Sequence, residues 1–315
     1  MVESIITDQP FVTLNNGIKM PQIGLGTYDD SEGDVTELLK AAILHQGYRH
    51  IDTAKVYQNE EKIGAALKEV MDQGIKREDL YIVTKLWHDE DKSDVEGALR
   101  KQLKSLQLEY VDLYLIHWML PTLDWSQENP IGKTPNYKVW QQLEHCVEIG
   151  LVKSIGVSNC TIPMLLDILA FCKIKPAVNQ VELHPYLVQK EYVDFQKKLG
   201  VHVTAYAPLG AFGWPFKREE HKSLNVLKEP LIQDLAAKYE RPLGQIVLNW
   251  HLHRGHVIIP KTSKIDRLRE NIQCYDFKMT EEEYEQISKL NKGARFYDPL
   301  LQTGFGWAEW PYFDQ

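Results

Sequence analysis

The sequence predicts an eight-stranded parallel α/β barrel, the (α/β)8 or TIM barrel. Short apolar runs of strand length alternate with longer amphipathic runs of helical period, and the pair recurs eight times along the chain. The strand runs are almost continuously apolar, as strands covered on both faces must be. The 315 residues contain no Pro/Gly/Ser-rich linker and no low-complexity tract, and barrels of this kind commonly use that length as one domain. The expectation is a single domain over residues 1–315, with a doubly wound open sheet as the alternative fold.

FVTLNNGIKMP (11–21) sets Asn16-Gly17 between two short strand-like runs, which predicts an N-terminal β-hairpin. The strand candidates follow: IGLGT (23–27), RHID (49–52), LYIVTK (80–85), VDLYLIH (111–117), VKSIGVS (152–158), AVNQVEL (177–183), HVTAYAP (202–208) and HVIIP (256–260). Between them lie helical runs at 34–46, 60–73, 94–106, 137–149, 161–172, 190–199, 229–239 and 265–273. Two further helices fit 242–253 and 280–290. In the last, Thr280 and Glu283 have the spacing of a capping box, so its acidic start TEEEYEQ reads as a solvated helix face.

Net charge is −8 with both signs interspersed, so no basic face for nucleic acid or an anionic membrane is visible. An anionic ligand would have to be held by a few placed cations. Cys146, Cys160, Cys172 and Cys274 show no CxxC spacing and read as reduced thiols. MVESIITDQP has neither a cationic start nor a long apolar core, and no apolar run approaches the roughly 18 residues of a membrane span. A cytoplasmic chain with no nucleic-acid or membrane partner is expected; the oligomeric state stays open, and a monomer would suffice.

In such a barrel, chemistry gathers at the C-terminal ends of the strands. Read in order, those ends carry Asp52, Lys85, His117, Ser158-Asn159, Gln180, Tyr206 and, after the eighth strand, Lys261. Tyr57 follows Asp52 by five residues, in a loop. A phenol titrates near ~10 in water, too high for an effective acid at neutral pH. A neighbouring Lys85 is expected to lower it, Asp52 to pair with and orient that lysine, and His117 to position a carbonyl oxygen. The set suits a proton donor and oxyanion partner for an incoming hydride. GLGTYD lacks the third glycine of a dinucleotide fingerprint, so Gly24 and Gly26 read as room for close backbone approach. His251 and His253, two apart on a helix, point to different faces and make no metal site. Cys160 has no cation beside it in sequence and reads as a bystander.

These segments together resemble the aldo-keto reductases, of the aldose and aldehyde reductase type, including xylose reductase-like members. IDTAKVYQNEEKIG (51–64), GLVKSIGVSN (150–159), VNQVELHPYL (178–187) and IPKTSKIDRLREN (259–271) carry the likeness, which runs nearly end to end. The resemblance implies a catalytic group of Asp52, Tyr57, Lys85 and His117, with Tyr57 the proton donor. It implies a nicotinamide amide held by Ser158, Asn159 and Gln180 over Tyr206, with Thr27 and Asp52 near its ribose. Leu209 and Gly210 would then line the pyrophosphate path. Lys261 and Arg267 would grip a 2′-phosphate, with Glu270 and Asn271 facing the adenine and Thr262 also on the cofactor, so NADP(H) is the expected cofactor and NAD(H) a weaker one.

The implied reaction is reduction of a small carbonyl substrate, an aldehyde and among aldehydes aldoses, to the alcohol. The alternatives on the same scaffold are a ketone, ketosteroid or prostaglandin reductase, or a non-enzymatic regulatory or structural barrel. Tyr28, Trp87 and Trp118 are expected to crowd the rim beside His117 as substrate walls. Trp307, on the tail FYDPLLQTGFGWAEWPYFDQ, would lie in a C-terminal loop over the mouth. The chain departs from common family usage at Met119-Leu120-Pro121, at Ala207 after Tyr206, and at Cys160. Those positions bear on pocket shape rather than on the reaction.

Overall fold

In the computed structural model, which describes residues 8–28, 34–87, 92–119, 134–211 and 213–298, Asn16-Gly17 turns the chain as its sequence requires. Gly17 takes φ +84°, and β1 (Phe11–Thr13) pairs antiparallel with β2 (Lys19–Pro21). The barrel strands are β3 (Gly24–Gly26), β4 (His50–Asp52), β5 (Tyr81–Leu86), β6 (Val111–Ile116), β7 (Val152–Ser158), β8 (Val178–Glu182), β9 (His202–Tyr206) and β10 (Val257–Ile258). Each pairs in parallel with the next. Parallel bridges Ile23–Ile258 and Gly26–Lys261 join the two outer strands. That closure excludes the open-sheet alternative.

The seam and its neighbourhood explain two glycines. A Cβ on Gly26 would stand 2.8 Å from the Ile259 carbonyl oxygen across the closing seam. One on Gly24 would meet the His50 ring at 2.6 Å. Both are close approaches that only glycine permits, as the sequence suggests.

The helices are α1 (Val35–Lys40), α2 (Glu60–Asp72), α3 (Val95–Leu106), α4 (Asn136–Glu148), α5 (Ile162–Phe171), α6 (Lys190–Lys198), α7 (Pro230–Tyr239), α8 (Leu243–His253), α9 (Ile265–Ile272) and α10 (Glu281–Ser288). α7 and α8 together span the crossover from β9 to β10. The first helical run does not stay α-helical throughout: Ala41–His45 widens into a π turn, with Gln46 N–H donating to Ala41 O. The capping box is formed, with Thr280 and Glu283 each bonding the other's backbone N–H.

Strand alternation sorts the side chains into two layers. Ile51, Ile82, Leu86, Tyr114, Ile116, Val181, Val203 and Ala205 face outward into the core shared with the helices. Tyr81, Val83, Leu113, Leu115, Val178 and Val257 face inward, where Leu14 and Met20 of the hairpin pack against them and plug the bottom of the barrel. Continuing the inward series upward along each strand reaches Asp52, Lys85, Ser158, Gln180 and Tyr206. No helix among the described residues is long and apolar enough to cross a membrane. The predicted C-terminal loop lies outside the described residues.

Three imidazoles are enclosed in neutral form. His50 Nδ1 donates to Pro21 O at 3.1 Å, and His251 Nε2 donates to Pro208 O at 3.1 Å. A carbonyl can only accept, so His251 Nδ1 carries no proton and accepts from His256 Nδ1 at 3.1 Å. Burial, first among the causes, depresses His50 to about 4, His251 to about 3, and His256 well below its ordinary value. Unfolded, each titrates near ~6.5. The unfolded chain therefore binds protons below that pH that the folded chain refuses, and stability falls as pH drops from ~6.5 toward the folded values. At pH ~5 the loss is roughly 2 kcal/mol per imidazole. The denaturant midpoint should drop steeply between pH ~7 and ~5, and the His50→Asn variant should show a shallower fall. A flat midpoint across that range would contradict the assignment.

Candidate active site

Asp52 ends β4 and Lys85 lies one residue from the end of β5, on adjacent strands and on the same inward face. Lys85 is 0% exposed, and its Nζ donates to Asp52 Oδ1 at 2.5 Å and to Thr53 O at 2.8 Å. Its third reach is to Tyr57 Oη at 3.4 Å. Tyr57 gets there because the chain after β4 makes a single 3-10 turn, Lys55–Tyr57, ending in Gln58 at φ 54°. Asn59 clamps that loop: its amide donates to Thr27 O at 2.8 Å and accepts from Thr53 Oγ1 at 3.2 Å. Thr27 Oγ1 in turn donates to Asp52 O at 2.9 Å.

The acid's second oxygen is used from across the barrel. Gln180 Nε2 donates to Asp52 Oδ2 at 2.7 Å, so the carboxylate is fixed from both sides. Ser158 Oγ donates to Gln180 O at 2.8 Å. Asn159, in the left-handed region at φ 54°, donates through Nδ2 to Ser158 Oγ and to His117 O, both at 3.2 Å, and accepts from Tyr206 Oη at 2.9 Å. Asparagine tolerates that conformation better than most residues. Ala207, directly after Tyr206, holds φ 47° without that advantage and starts the turn closed by Gly210 N–H to Ala207 O at 2.8 Å.

The structure thus brings Asp52, Tyr57, Lys85, Ser158, Asn159, Gln180 and Tyr206 into one bonded group. His117 joins through its carbonyl and its ring, which stands edge-on to Tyr57 at 6.1 Å and to Trp87 at 4.9 Å. Tyr28 meets Tyr57 edge-on at 5.1 Å. Trp87 and Trp118 are buried, at 8% and 6% exposure, so of the described aromatics predicted as walls Tyr28 is the more open. Trp307 lies outside the described residues.

One expectation is reversed. Lys85 was expected to lower the Tyr57 phenol; instead burial, then the Asp52 charge and Tyr28, hold it well above its ordinary value. Enclosure and the facing Asp52 carboxylate both act against the phenolate, so the phenol keeps its proton. Lys85 is itself pulled down by burial, against the opposing attraction of Asp52 and Glu60.

The remaining predicted residues form a second group beyond the rim. Lys261 sits at the closing bridge with Gly26, and Arg267 lies in the first turn of α9; both side chains are exposed. Thr262 is buried, its hydroxyl accepting from Lys264 N–H at 3.0 Å. Asn271, in the last turn of α9, is buried, and Glu270 is exposed while its carbonyl accepts from Gln245 at 2.8 Å. Leu209 and Gly210 follow β9, where a Cβ on Gly210 would lie 3.1 Å from Val226. Among the described residues there is no cluster of three or more His, Cys, Asp or Glu that could hold a metal.

Sequence reasoning missed Trp214 and Tyr297. Trp214 stacks on Tyr297 at 4.6 Å and stands edge-on to Tyr28 at 6.2 Å, while Tyr297 abuts Tyr206 at 5.3 Å. These rings bridge the rim from β3 to β9. The aromatic cluster in GWPF after the seventh barrel strand was the available signal for Trp214. Tyr297 had none, since its place is set by Glu182, whose oxygens accept from Phe296 N–H at 2.7 Å and Tyr297 N–H at 3.0 Å.

A model of the aldo/keto reductase family matches residues 22–292. Aldo-keto reductase family 1 member A1 of Gallus gallus is 43% identical over 304 residues, covering 92% of this chain and 91% of that protein. The Homo sapiens protein of the same name is 42% identical, covering 92% of each. Among solved structures, the aldose reductase of Schistosoma japonicum superposes with a TM-score of 0.85 at 33% identity, over 98% of this chain and 99% of that one. A Bombyx mori aldo-keto reductase, in complex with NADP, gives a TM-score of 0.85 at 32% identity, over 97% and 100%. With the family match spanning most of the barrel and full-length relatives above two-fifths identity, the chain belongs to the aldo/keto reductase family.

Proposed function

We propose that the chain is an NADPH-dependent aldehyde reductase in which Tyr57 is the proton donor. The observation that carries this reading is the bonded series Gln180–Asp52–Lys85–Tyr57 at the barrel mouth. When bound, the nicotinamide cofactor supplies the hydride that goes to the carbonyl carbon. Tyr57 holds a proton at Oη and delivers it to the carbonyl oxygen, giving the alcohol. The phenolate left behind faces Lys85 Nζ, which Asp52 and the Thr53 carbonyl keep aimed at it. A phenol raised by burial retains its proton until the oxygen it must serve becomes basic. His117, edge-on to Tyr57, orients that oxygen.

The residues present fit the cofactor. Ser158, Asn159 and Gln180 form a linked set of amide and hydroxyl groups tied to the half-buried Tyr206 through its hydroxyl, and that ring offers a platform for a flat carboxamide-bearing ring. The NADP complex of the silkworm relative supports the same reading. Lys261 and Arg267 grip the 2′-phosphate, with Thr262, Glu270 and Asn271 around the adenosine. Exposed Lys264, directly before α9, adds a third cation there. Each charge-assisted hydrogen bond contributes roughly 1.5–3 kcal/mol, enough for a tenfold or larger preference for NADPH over NADH.

The reading is tested by loss of NADPH absorbance with a panel of aldehydes. Tyr57→Phe should lower turnover by ~10²–10⁴ while NADPH affinity stays within about a few-fold; retention of more than about a tenth of wild-type turnover would refute the donor assignment. Arg267→Ala should weaken NADPH binding and leave NADH binding nearly unchanged, and equal efficiency with both cofactors in the wild type would overturn the 2′-phosphate site. Tyr28, Trp87, Trp118 and Trp214 give the mouth aromatic walls, and buried apolar surface contributes about 25 cal/mol per Å². Aromatic aldehydes should therefore show lower KM than open-chain sugars, and the reverse order would count against these walls.

A further inference from the structure

A cavity of about 310 Å³ lies at the N-terminal ends of the first strands, at the opposite end of the barrel from Tyr57 and Lys85. Its walls come from the hairpin, from Gly47 and Arg49 before β4, and from Asp79, which ends a 3-10 turn just before β5. Arg49 O accepts from Tyr81 N–H at 2.7 Å, which ties the two strand entries together. Val12 and Met20 of the hairpin pack into the bottom of the barrel, so strand alternation turns Phe11, Lys19 and Pro21 to the cavity instead. Pockets for small ligands begin near roughly this volume, about 300 Å³.

The cavity is lined by charges of both signs that do not meet. Arg49 Nη1 donates to two backbone carbonyls, Ile43 O at 3.1 Å and Tyr48 O at 2.8 Å. Those bonds fix the guanidinium and leave its Nε–Nη2 edge without a partner among the described residues. That edge can take a carboxylate through two parallel hydrogen bonds. Burial lowers the guanidinium from its ordinary value and Asp79 attracts it, yet the two form no ion pair. Lys19 adds a second cation, its Nζ 4.1 Å from the centroid of the Phe11 ring, which is 52% exposed. Gln9 donates its Nε2 to Gly47 O, and its enclosed Oε1 has no donor among the described residues.

A ligand that suits this lining carries both charges itself. A simple anion would be repelled by Asp79, and a simple amine by Arg49 and Lys19. Phe11 and Pro21 leave apolar surface for the remainder. We propose that the cavity binds an α-amino acid with an apolar side chain, its carboxylate on Arg49 and Lys19 and its ammonium on Asp79. The site is separate from the barrel mouth and does not depend on the reductase reading.

Titration calorimetry with L-phenylalanine tests the proposal on the wild-type protein. The amino acid should bind equally well with and without saturating NADPH. 3-Phenylpropionate, which lacks the ammonium, and 2-phenylethylamine, which lacks the carboxylate, should each bind at least about tenfold more weakly. Asp79 is exposed and forms no ion pair among the described residues, so Asp79→Asn should leave the fold intact. That variant should lose at least about tenfold in affinity for L-phenylalanine and gain affinity for 3-phenylpropionate. Arg49→Lys, which keeps the charge but not the two-bonded edge, should weaken both. A wild-type protein that does not bind L-phenylalanine would overturn the proposal, as would equal affinity for 3-phenylpropionate. Asp79→Asn binding both ligands as the wild type does would overturn it, and so would displacement of L-phenylalanine by NADPH, which would place binding at the mouth.

Discussion

Lys85 is fully enclosed, and removing an ammonium ion from water costs several kcal/mol unless its partners are close and well placed. Here they are Asp52 Oδ1 at 2.5 Å and the Thr53 carbonyl at 2.8 Å. Much of the surrounding architecture serves to keep those partners in place. Asp52 is held by Gln180 from β8, and the Asp52–Asn59 turn is tied to Thr27 of the loop after β3. On the outer face, Gln102 of α3 donates to the Lys85 carbonyl at 3.2 Å and to Glu60 of α2 at 3.0 Å, with Tyr114 of β6 closing the network at 2.7 Å. The buried pair therefore links both layers of the barrel. Removing either member would strand the other, which makes the pair a constraint on the fold as well as on the site.

A second anchor sits at Glu182, the last residue of β8 and also 0% exposed. It fixes the backbone at Phe296 and Tyr297, which places the Tyr297 ring between Tyr206 and Trp214. Arg218–Asp298 ties the loop bearing Trp214 to the same segment. The upper wall of the mouth is therefore built from two stretches of chain about eighty residues apart, joined by one ion pair and a ring stack, the later stretch being fixed by the Glu182 carboxylate. That construction separates a rigid floor on the strand ends from a wall assembled by loops, the usual division between chemistry and selectivity in barrels.

The floor was legible in the sequence, as were Tyr28 and Trp87 beside it, but the upper wall of Trp214 and Tyr297 was not. Strand period fixes which residues share a face, so Asp52, Lys85, Ser158, Gln180 and Tyr206 could be assigned to one rim from spacing alone. Tyr57 was legible because it follows Asp52 closely enough for a single turn to bring it back. Glu182, Phe296 and Tyr297 meet through tertiary contacts that leave no period, and the π turn at Ala41–His45 has an ordinary helical pattern in sequence. The direction of the Tyr57 shift was misjudged for a related reason. Adjacent charge can be read from residue types, whereas desolvation depends on how completely the site is enclosed.

The central claim is that Asp52 and Lys85 act on Tyr57 as one unit rather than as two separate contributors. The most direct measurement is turnover of the Asp52→Asn/Lys85→Met double variant beside each single variant. A shared role predicts that the double variant is about as slow as the slower single one, because the second substitution has nothing left to remove. Losses that multiply would contradict the account.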